Sequence, residues 1–582
     1  MSVLRNVLET LPRSNVVLET FDRTGSVVNR LRGGEFVECI RRFRGIFDTL
    51  DGPGRKVVAL LFKSEETIEF LVAAFAAISR GFTIVPLYPS WSSETQLEYI
   101  KAYRLRSLCV GQGFRSRLEA WRREASSGID QVLPVDVQSL LVASEDLGDT
   151  PVDFDLPADH PCAWIFTSGT SGKLAKLTEI SRRNLEAAIE NIHGLDFLRP
   201  GMTIHSPLSA SHIFAFVATL GFLALKPRRV IFSDVQFLQR LPQAKTGKVD
   251  GMILVPIVLN RMRASFYEKL VSKLEPVAVP AELRKLARIP LAVRKVLKRI
   301  MLRAEEAVIT LESTGSMPPS SWAAVQLARR LFGKMFRERL GSPEFVVVGG
   351  AKPGLQGMAF LEVLGIRCLQ GWGMTETTGP LAVCTLRDRF TGALGTCGNL
   401  FPRAKAFIED GELIVEGPQI ARGYHQPGGT FVHFNGRMRT GDHAEFDKSG
   451  RLKVLGKASD RITTDNGINY NPIPLEEELQ TLDLKDQQLI EEVVVIGDGQ
   501  PRLGAVFFLR EGIANDATCR AYLQALVRAV NNDRAVDEKI GPWVVSSKPF
   551  KDAGVIGPSG KLLRLRVEER HAHIFGVAVE IA

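Results

Sequence analysis

Five short segments carry side chains whose types and spacing could do chemistry on a nucleotide. The first is Thr167-Ser168-Gly169-Thr170-Ser171-Gly172-Lys173, directly after the apolar run Cys162 to Phe166. Its two glycines lack Cβ atoms, so backbone N–H groups can converge on one anion, and four hydroxyls with Lys173 or Lys176 add donors. That suits a polyphosphate, although the spacing G-x-x-x-x-G-K-[ST] is absent; a Ser/Gly turn ahead of a helix at Asn184 accounts for it as well. The second is Gln370-Gly371-Trp372-Gly373-Met374-Thr375-Glu376. Glycines on both sides of an indole leave its face free for a planar base, and a carboxylate beside phosphates is a natural Mg²⁺ ligand. The plainer reading is a Gly-rich turn with a core Trp. The third is Thr440-Gly441-Asp442, an Asp on a tight turn able to accept from both ribose hydroxyls. The fourth runs from Gly456-Lys457 through Ser459 to Ile462 and on to Asn466-Gly467. The fifth is Gly557-Pro558-Ser559-Gly560-Lys561, a lone Lys in a Gly/Pro-rich loop. Each alone has an ordinary turn reading; all five in this order do not.

These segments need a frame. Residues 56–130 and 161–256 alternate short apolar runs (KVVALLF, TIVPLY, CAWIFTS, RRVIFSD) with helical patterns, which predicts α/β sheets covered by helices. Residues 401–454 instead have short runs with Gly/Asp turns (EDGELIVEG, FDKSGRLKV), predicting an antiparallel meander. A compact α/β tail follows, with the boundary placed at Gly456 to Ile462. The expected fold is therefore a large N-terminal domain, residues 1–456, and a small α+β C-terminal domain, residues 457–582.

The composition is that of a folded globular chain: 582 residues, 45% apolar and 24% charged. The net charge is +9, and residues 281–303 alone hold eight basic residues against one acid. The remainder is nearly balanced, which argues against nucleic acid as a partner. Seven cysteines without a C-x-x-C pair suggest neither zinc nor a disulfide framework and fit a cytoplasmic location. The longest apolar runs, Phe70 to Ser79 and Ile213 to Leu225, fall short of a bilayer span and read as buried helices.

In this order the five segments resemble the adenylate-forming (AMP-binding) superfamily. The superfamily phosphate loop T-S-G-T-T-G-x-P-K-G, followed by H-R-N-L, is similar to T-S-G-T-S-G-K-L-A-K-L here, followed by R-R-N-L. Y-G-x-T-E is similar to W-G-M-T-E, T-G-D is matched, and G-R-x-x-D is similar to G-K-A-S-D. Within it the chain looks most like the long-chain fatty acyl-CoA synthetases. The carriers of that likeness are Val85-Pro-Leu-Tyr-Pro89, Pro207-Leu-Ser with His212-Ile-Phe214, Gly349-Gly350-Ala351, Asn469 through Glu476, and Pro558 through Arg564.

The resemblance implies two α/β subdomains, a β-barrel-like subdomain and a mobile C-terminal lid. It also implies that ATP and Mg²⁺ activate a carboxylic acid, expected to be a medium- or long-chain fatty acid, to acyl-AMP with release of pyrophosphate, and that a thiol then accepts the acyl group. On it, Thr167 to Gly172 with Lys176 hold the β- and γ-phosphates, and Gly349 to Ala351 with Gly371 to Gly373 line the adenine. Glu376 holds Mg²⁺, Thr375 contacts the α-phosphate, and Asp442 with Lys457 grips the ribose. His212 joins the catalytic residues, Lys561 bridges carboxylate and α-phosphate, Ser459 is the hinge, and Asn466-Gly467 form the thiol-acceptor loop. Three departures stand out. Lys176 aligns only through an insertion, Lys457 replaces a bidentate Arg, and Asn466 replaces a Gly. The acceptor is CoA or the phosphopantetheine of an acyl carrier protein. A non-catalytic lipid-binding homologue is a further alternative, and a kinase misread from the Gly-Lys segments is disfavoured by their spacing.

Two features bear on substrate and location. Ala215, Ala218, Gly221 and Ala224 recur every third residue, leaving room for an alkyl chain or for close helix packing. Residues 281–303 interleave Leu, Ile and Val with Lys and Arg, with Pro290 expected to split them into two helices. Such a segment could contact a membrane peripherally or form a solvated basic face.

Overall fold

The computed structural model describes residues 3–11, 17–22, 24–48, 56–123, 128–142, 152, 154–167, 175–234, 247–271, 290–388, 391–457, 461–465, 469–532, 534–556 and 562–576. Among them, two large mixed sheets form the body. One has eight strands, with Thr83–Pro86, Val57–Leu61, Ser107–Val110 and Gln131–Pro134 parallel. Leu177–Ser181, Gly423–His425 and Phe431–His433 lie antiparallel beyond Pro161–Phe166. The other has nine strands, with Arg367–Met374, Phe345–Val348, Gly251–Leu254, Thr203–Ser206, Arg229–Ser233 and Val17–Phe21 parallel in that order.

The apolar runs that fill both faces of these strands explain the layering. One core lies between the sheets. It takes Val58, Leu60 and Ile84 from one and Leu18, Val230 and Phe232 from the other, and it encloses helices Thr67–Ser79 and Ile213–Ala224. Every residue of Thr67–Ser79 is buried, as its unbroken apolar run predicts. A second core covers the far face of the nine-stranded sheet under helices Pro256–Val271, Leu291–Thr314, Pro319–Ala328 and Leu355–Leu364. A third covers the far face of the other sheet. Each fully buried Leu, Ile or Phe contributes about 1.5–3 kcal/mol.

The predicted meander is a four-stranded antiparallel sheet, ordered Lys405–Glu409, Glu412–Glu416, Arg437–Phe446, Leu452–Lys457. The tail is a three-stranded sheet with helices Ile473–Lys485 and Ala517–Asn531 on one core and Arg564–His571 on another.

Two expectations resolve here. The small-residue stripe is packed rather than open: a Cβ on Gly221 would meet Ile192 Cγ2 of a neighbouring helix at 2.6 Å, and Ala215 and Ala218 lie buried in a cluster with Ile253 and Val347 of the nine-stranded sheet. Of the basic stretch, 281–289 lies outside the described residues, and the part after Pro290 is one continuous helix, Leu291–Thr314.

Candidate functional site

Strands Pro161–Phe166 and Leu177–Ser181 run antiparallel, and the Thr167 N–H donates to the Lys176 carbonyl at 2.9 Å, closing the base of the first segment. Ser168, Gly169, Thr170, Ser171 and Gly172 lie outside the described residues, as do Ser459, Asn466, Gly467 and Lys561. Ser181 then caps helix Arg182–His193, its hydroxyl and the Asn184 side chain satisfying each other's backbone N–H groups. The same Asn184 amide donates to the Pro418 and Ile420 carbonyls, both at 2.8 Å. This fixes the chain that leads into strand Gly423–His425, which pairs antiparallel with Leu177–Ser181.

That pairing places Tyr424 at the centre of the candidate site. The Lys176 ammonium lies 4.7 Å from its ring centroid, and its hydroxyl donates to Glu376 Oε1 at 2.5 Å. Burial, and the Glu376 carboxylate beside it, hold the Tyr424 hydroxyl above the usual tyrosine range. Glu376 is 6% exposed. It sits in a single turn, Thr375–Thr377, directly after strand Arg367–Met374, with half-buried Thr375 beside it. Sequence reasoning missed Tyr424. Its one local signal is the preceding Gly423, where a Cβ would meet the Val432 carbonyl oxygen at 2.0 Å.

The same strand delivers Trp372 to Asp442, its indole N–H donating to Oδ2 at 2.9 Å, while Lys457 Nζ lies 2.6 Å from Oδ1. Asp442 and Lys457 are cross-strand partners on Arg437–Phe446 and Leu452–Lys457. Two expectations need correction. Asp442 lies within a strand, not on a tight turn; the left-handed residue is Gly441, φ +68°. The Trp372 indole is not left free. It is 7% exposed and packs with Leu381, Ala382, Leu413 and Met438. The flanking glycines serve strand packing instead: a Cβ on Gly373 would meet the Gly379 carbonyl oxygen at 2.1 Å, and one on Gly371 would meet Val383 Cγ2 at 3.3 Å.

Gly349, Gly350 and Ala351 follow strand Phe345–Val348, the parallel neighbour of Arg367–Met374. A Cβ on Gly349 would press on the Phe214 ring at 3.3 Å, and Gly350 is left-handed at φ +86°. His212 precedes helix Ile213–Ala224, its ring 4.5 Å from that of buried Tyr88. Lys352 Nζ donates to the Leu455 carbonyl at 3.4 Å, and Asn471 Nδ2 donates to the same oxygen at 3.0 Å. The loop after Phe345–Val348 thus meets the strand that ends at Lys457 and the start of the C-terminal region. Burial lowers the Lys352 ammonium and raises the Glu477 carboxyl near it.

Thr167, Lys176, Glu376, Trp372, Asp442 and Lys457 are therefore joined through Tyr424 and one strand. This frame can present a buried carboxylate to a cation, and a second carboxylate to hydroxyls.

Comparison with known proteins bears on the same frame. The AMP-binding enzyme family matches residues 34–425, and the AMP-binding enzyme C-terminal domain matches residues 459–574. A long-chain-fatty-acid–CoA ligase, FadD15 of Mycobacterium bovis, is 24% identical over 87% of this chain and 85% of its own length. A chloroplastic long-chain-fatty-acid–[acyl-carrier-protein] ligase of Arabidopsis thaliana, AEE15, is 22% identical over 82% of this chain and 68% of its own. The crystal structure of the anthranilate CoA ligase AuaEII with anthranoyl-AMP superposes with a TM-score of 0.69 at 13% identity, over 98% of this chain and 97% of that one. With most of its length matched in this way, the chain belongs to the AMP-binding enzyme family.

Proposed function

We propose that this protein activates a carboxylic acid, a medium- or long-chain fatty acid, with ATP to give acyl-AMP and pyrophosphate, and then passes the acyl group to the thiol of CoA. The observation that carries the reading is strand Arg367–Met374 with its following turn, which engages Asp442 through Trp372 and Tyr424 through Glu376.

Joining a carboxylate to a polyphosphate brings two anions together, so fixed positive charge and dipoles must offset their repulsion. The loop based on Thr167 and Lys176 would hold the β- and γ-phosphates, and Thr375 the α-phosphate. Glu376 fits Mg²⁺: it is a hard oxygen ligand, buried and pre-oriented by Tyr424, and Mg²⁺ characteristically takes one or two carboxylates plus substrate phosphates. The ion would supply charge neutralisation as the α-phosphate is attacked. Asp442, oriented by Trp372 and Lys457, keeps lone pairs for the ribose hydroxyls. Gly349 to Ala351 would border the base. Lys561 would bridge acid and α-phosphate, Ser459 would be the hinge between residues 1–456 and 457–582, and Asn466-Gly467 would border the incoming thiol.

The fatty acid preference draws support from the FadD15 likeness. Transfer to a carrier-protein phosphopantetheine is the second reading, favoured by the AEE15 likeness and by Asn466 in place of a Gly.

The test is a panel of carboxylic acids scored by pyrophosphate release alone, with CoA, and with a phosphopantetheinylated carrier protein. Fatty acids should drive pyrophosphate release, and CoA should yield acyl-CoA. Preference for an aromatic acid would refute the substrate class. Absence of pyrophosphate with every acid, from folded protein, would refute the activity.

A further inference from the structure

Helix Leu291–Thr314 turns back through left-handed Gly315 into Pro319–Ala328, which continues through Arg329–Gly333 and Lys334–Arg339. The two arms pack on one core. Met301, Ala304, Ala307 and Val308 come from the first arm, and Val325, Ala328, Phe332 and Phe336 from the second. Their opposite faces therefore form one outer surface.

The first turns of this hairpin have inverted polarity. Arg294 and Lys298 point inward, at 6% and 7% exposure, while Leu291, Val293 and Val296 are exposed at 37%, 46% and 50%. Burial lowers the Lys298 ammonium, opposed by Asp483 and Asp486 of the C-terminal region. The second arm continues the pattern, with Trp322, Leu327 and Leu331 each 44–45% exposed. Among these apolar groups stand the exposed cations Lys295, Arg299, Arg303, Arg330 and Lys334. The two exposed acids on the arms are Glu306, which pairs with Lys485, and Glu338, 3.8 Å from Lys334. A merely solvated helix face carries charge without apolar bulk. Among the described residues this face carries a net excess of positive charge together with aliphatic side chains and an indole, the combination that seats in the headgroup region of an acidic bilayer. No helix among the described residues is long and apolar enough to cross a membrane.

We propose that the outer face of the 291–339 hairpin docks the protein peripherally on an anionic phospholipid surface, with Val293, Val296, Leu327 and Leu331 entering the headgroup boundary and Arg299, Arg303 and Arg330 meeting lipid phosphates. This stands apart from the catalytic reading, and its readout needs no turnover.

The test is co-sedimentation of the full chain with vesicles of phosphatidylcholine containing about 30 mol% phosphatidylglycerol, against phosphatidylcholine alone. Wild type should partition at least tenfold more strongly onto the anionic vesicles, and about 0.5 M salt should weaken that partitioning. Arg299→Glu/Arg303→Glu/Arg330→Glu should lower it at least tenfold, Arg299→Lys/Arg303→Lys/Arg330→Lys should keep it within about threefold, and Val296→Ser/Leu327→Ser/Leu331→Ser should lower it about tenfold. All replace exposed side chains, and circular dichroism checks each fold. Equal binding to both vesicle types, or wild-type binding by the Glu variant, overturns the proposal. So does a concentration-dependent dimer in velocity sedimentation that the Ser variant dissolves, which would assign the face to a second copy of the chain.

Discussion

Replacing Tyr424 with Phe removes one atom at the junction of the candidate site. The hydroxyl donates to a carboxylate 2.5 Å away that is 6% exposed. A hydrogen bond to a charged group contributes about 1.5–3 kcal/mol, and an undonated buried carboxylate bears the full desolvation cost. Tyr424 itself is only half-buried, and water reaching Glu376 would recover part of the loss, so the lower end, about 1.5 kcal/mol, is the expected destabilisation. At about 2 °C for each kcal/mol, the thermal midpoint of ligand-free protein should fall by about 3 °C. The functional consequence is separable. If the bond pre-orients Glu376 for Mg²⁺, the Mg²⁺ concentration for half-maximal pyrophosphate release should rise about tenfold, since 1.4 kcal/mol is a factor of ten. The KM for the acid should stay unchanged. The assay is pyrophosphate release across a Mg²⁺ titration at saturating ATP and acid, beside thermal unfolding. A variant that melts lower yet shows the wild-type Mg²⁺ dependence would refute the orienting role and leave Tyr424 a packing residue.

Four further outcomes follow, three from described side chains and one, at Lys561, from the proposed function. Trp372→Phe keeps an aromatic ring, though a smaller one, and removes the donor to Asp442, so the KM for ATP should rise about tenfold, measured with the acid saturating; a change confined to the acid would separate Trp372 from the ribose side. Lys561→Ala should slow pyrophosphate release by roughly 10²–10³ with little change in ATP affinity, as for a lost transition-state donor. Gly221→Val should destabilise by about 1–3 kcal/mol in chemical unfolding, because its side chain would overlap Ile192; a neutral result would reopen that helix face as room for a ligand. Glu69 gives a pH prediction. Burial pushes its carboxyl up to about 7, with Asn29 donating to it. The folded state therefore binds this proton more tightly than the unfolded state does. The stability it supports is full below about pH 4.5 and is lost as pH rises through 7, by on the order of 3 kcal/mol. Glu69→Gln should flatten that part of the stability–pH curve and be the more stable protein at pH 8; an unchanged slope would refute the assignment.

How much of this was legible in the sequence depended on the range of the interaction. Alternating apolar runs gave the two sheets because burial on both faces leaves few other patterns, and the unbroken apolar stretch at Thr67–Ser79 proved buried on every side. The Gly-Trp-Gly-Met-Thr-Glu segment was visible as a site, but its internal logic was not. Trp372 finds Asp442 across 70 positions and Tyr424 finds Glu376 across 48, distances at which no spacing rule operates. The glycines beside Trp372 looked like clearance for a ligand because a missing Cβ reads the same whether a base or another strand comes close; the Gly379 carbonyl decides it.

The basic helix left two readings open, a membrane contact or a solvated basic face. The second of these expects a polar outer face, since a cation is normally cheapest in water. Lys298 turns inward where the C-terminal region brings Asp483 and Asp486 near it, and Lys485 meets Glu306 about two turns further along the same helix. Nothing within the helix encodes those partners. Once the inward positions are taken by cations, the 3.6-residue repeat places Val293 and Val296 outside. The exposed apolar surface is thus a consequence of how the two regions meet, and Asp483→Asn/Asp486→Asn should weaken the inward pull on Lys298 and lower stability without altering the outer residues themselves.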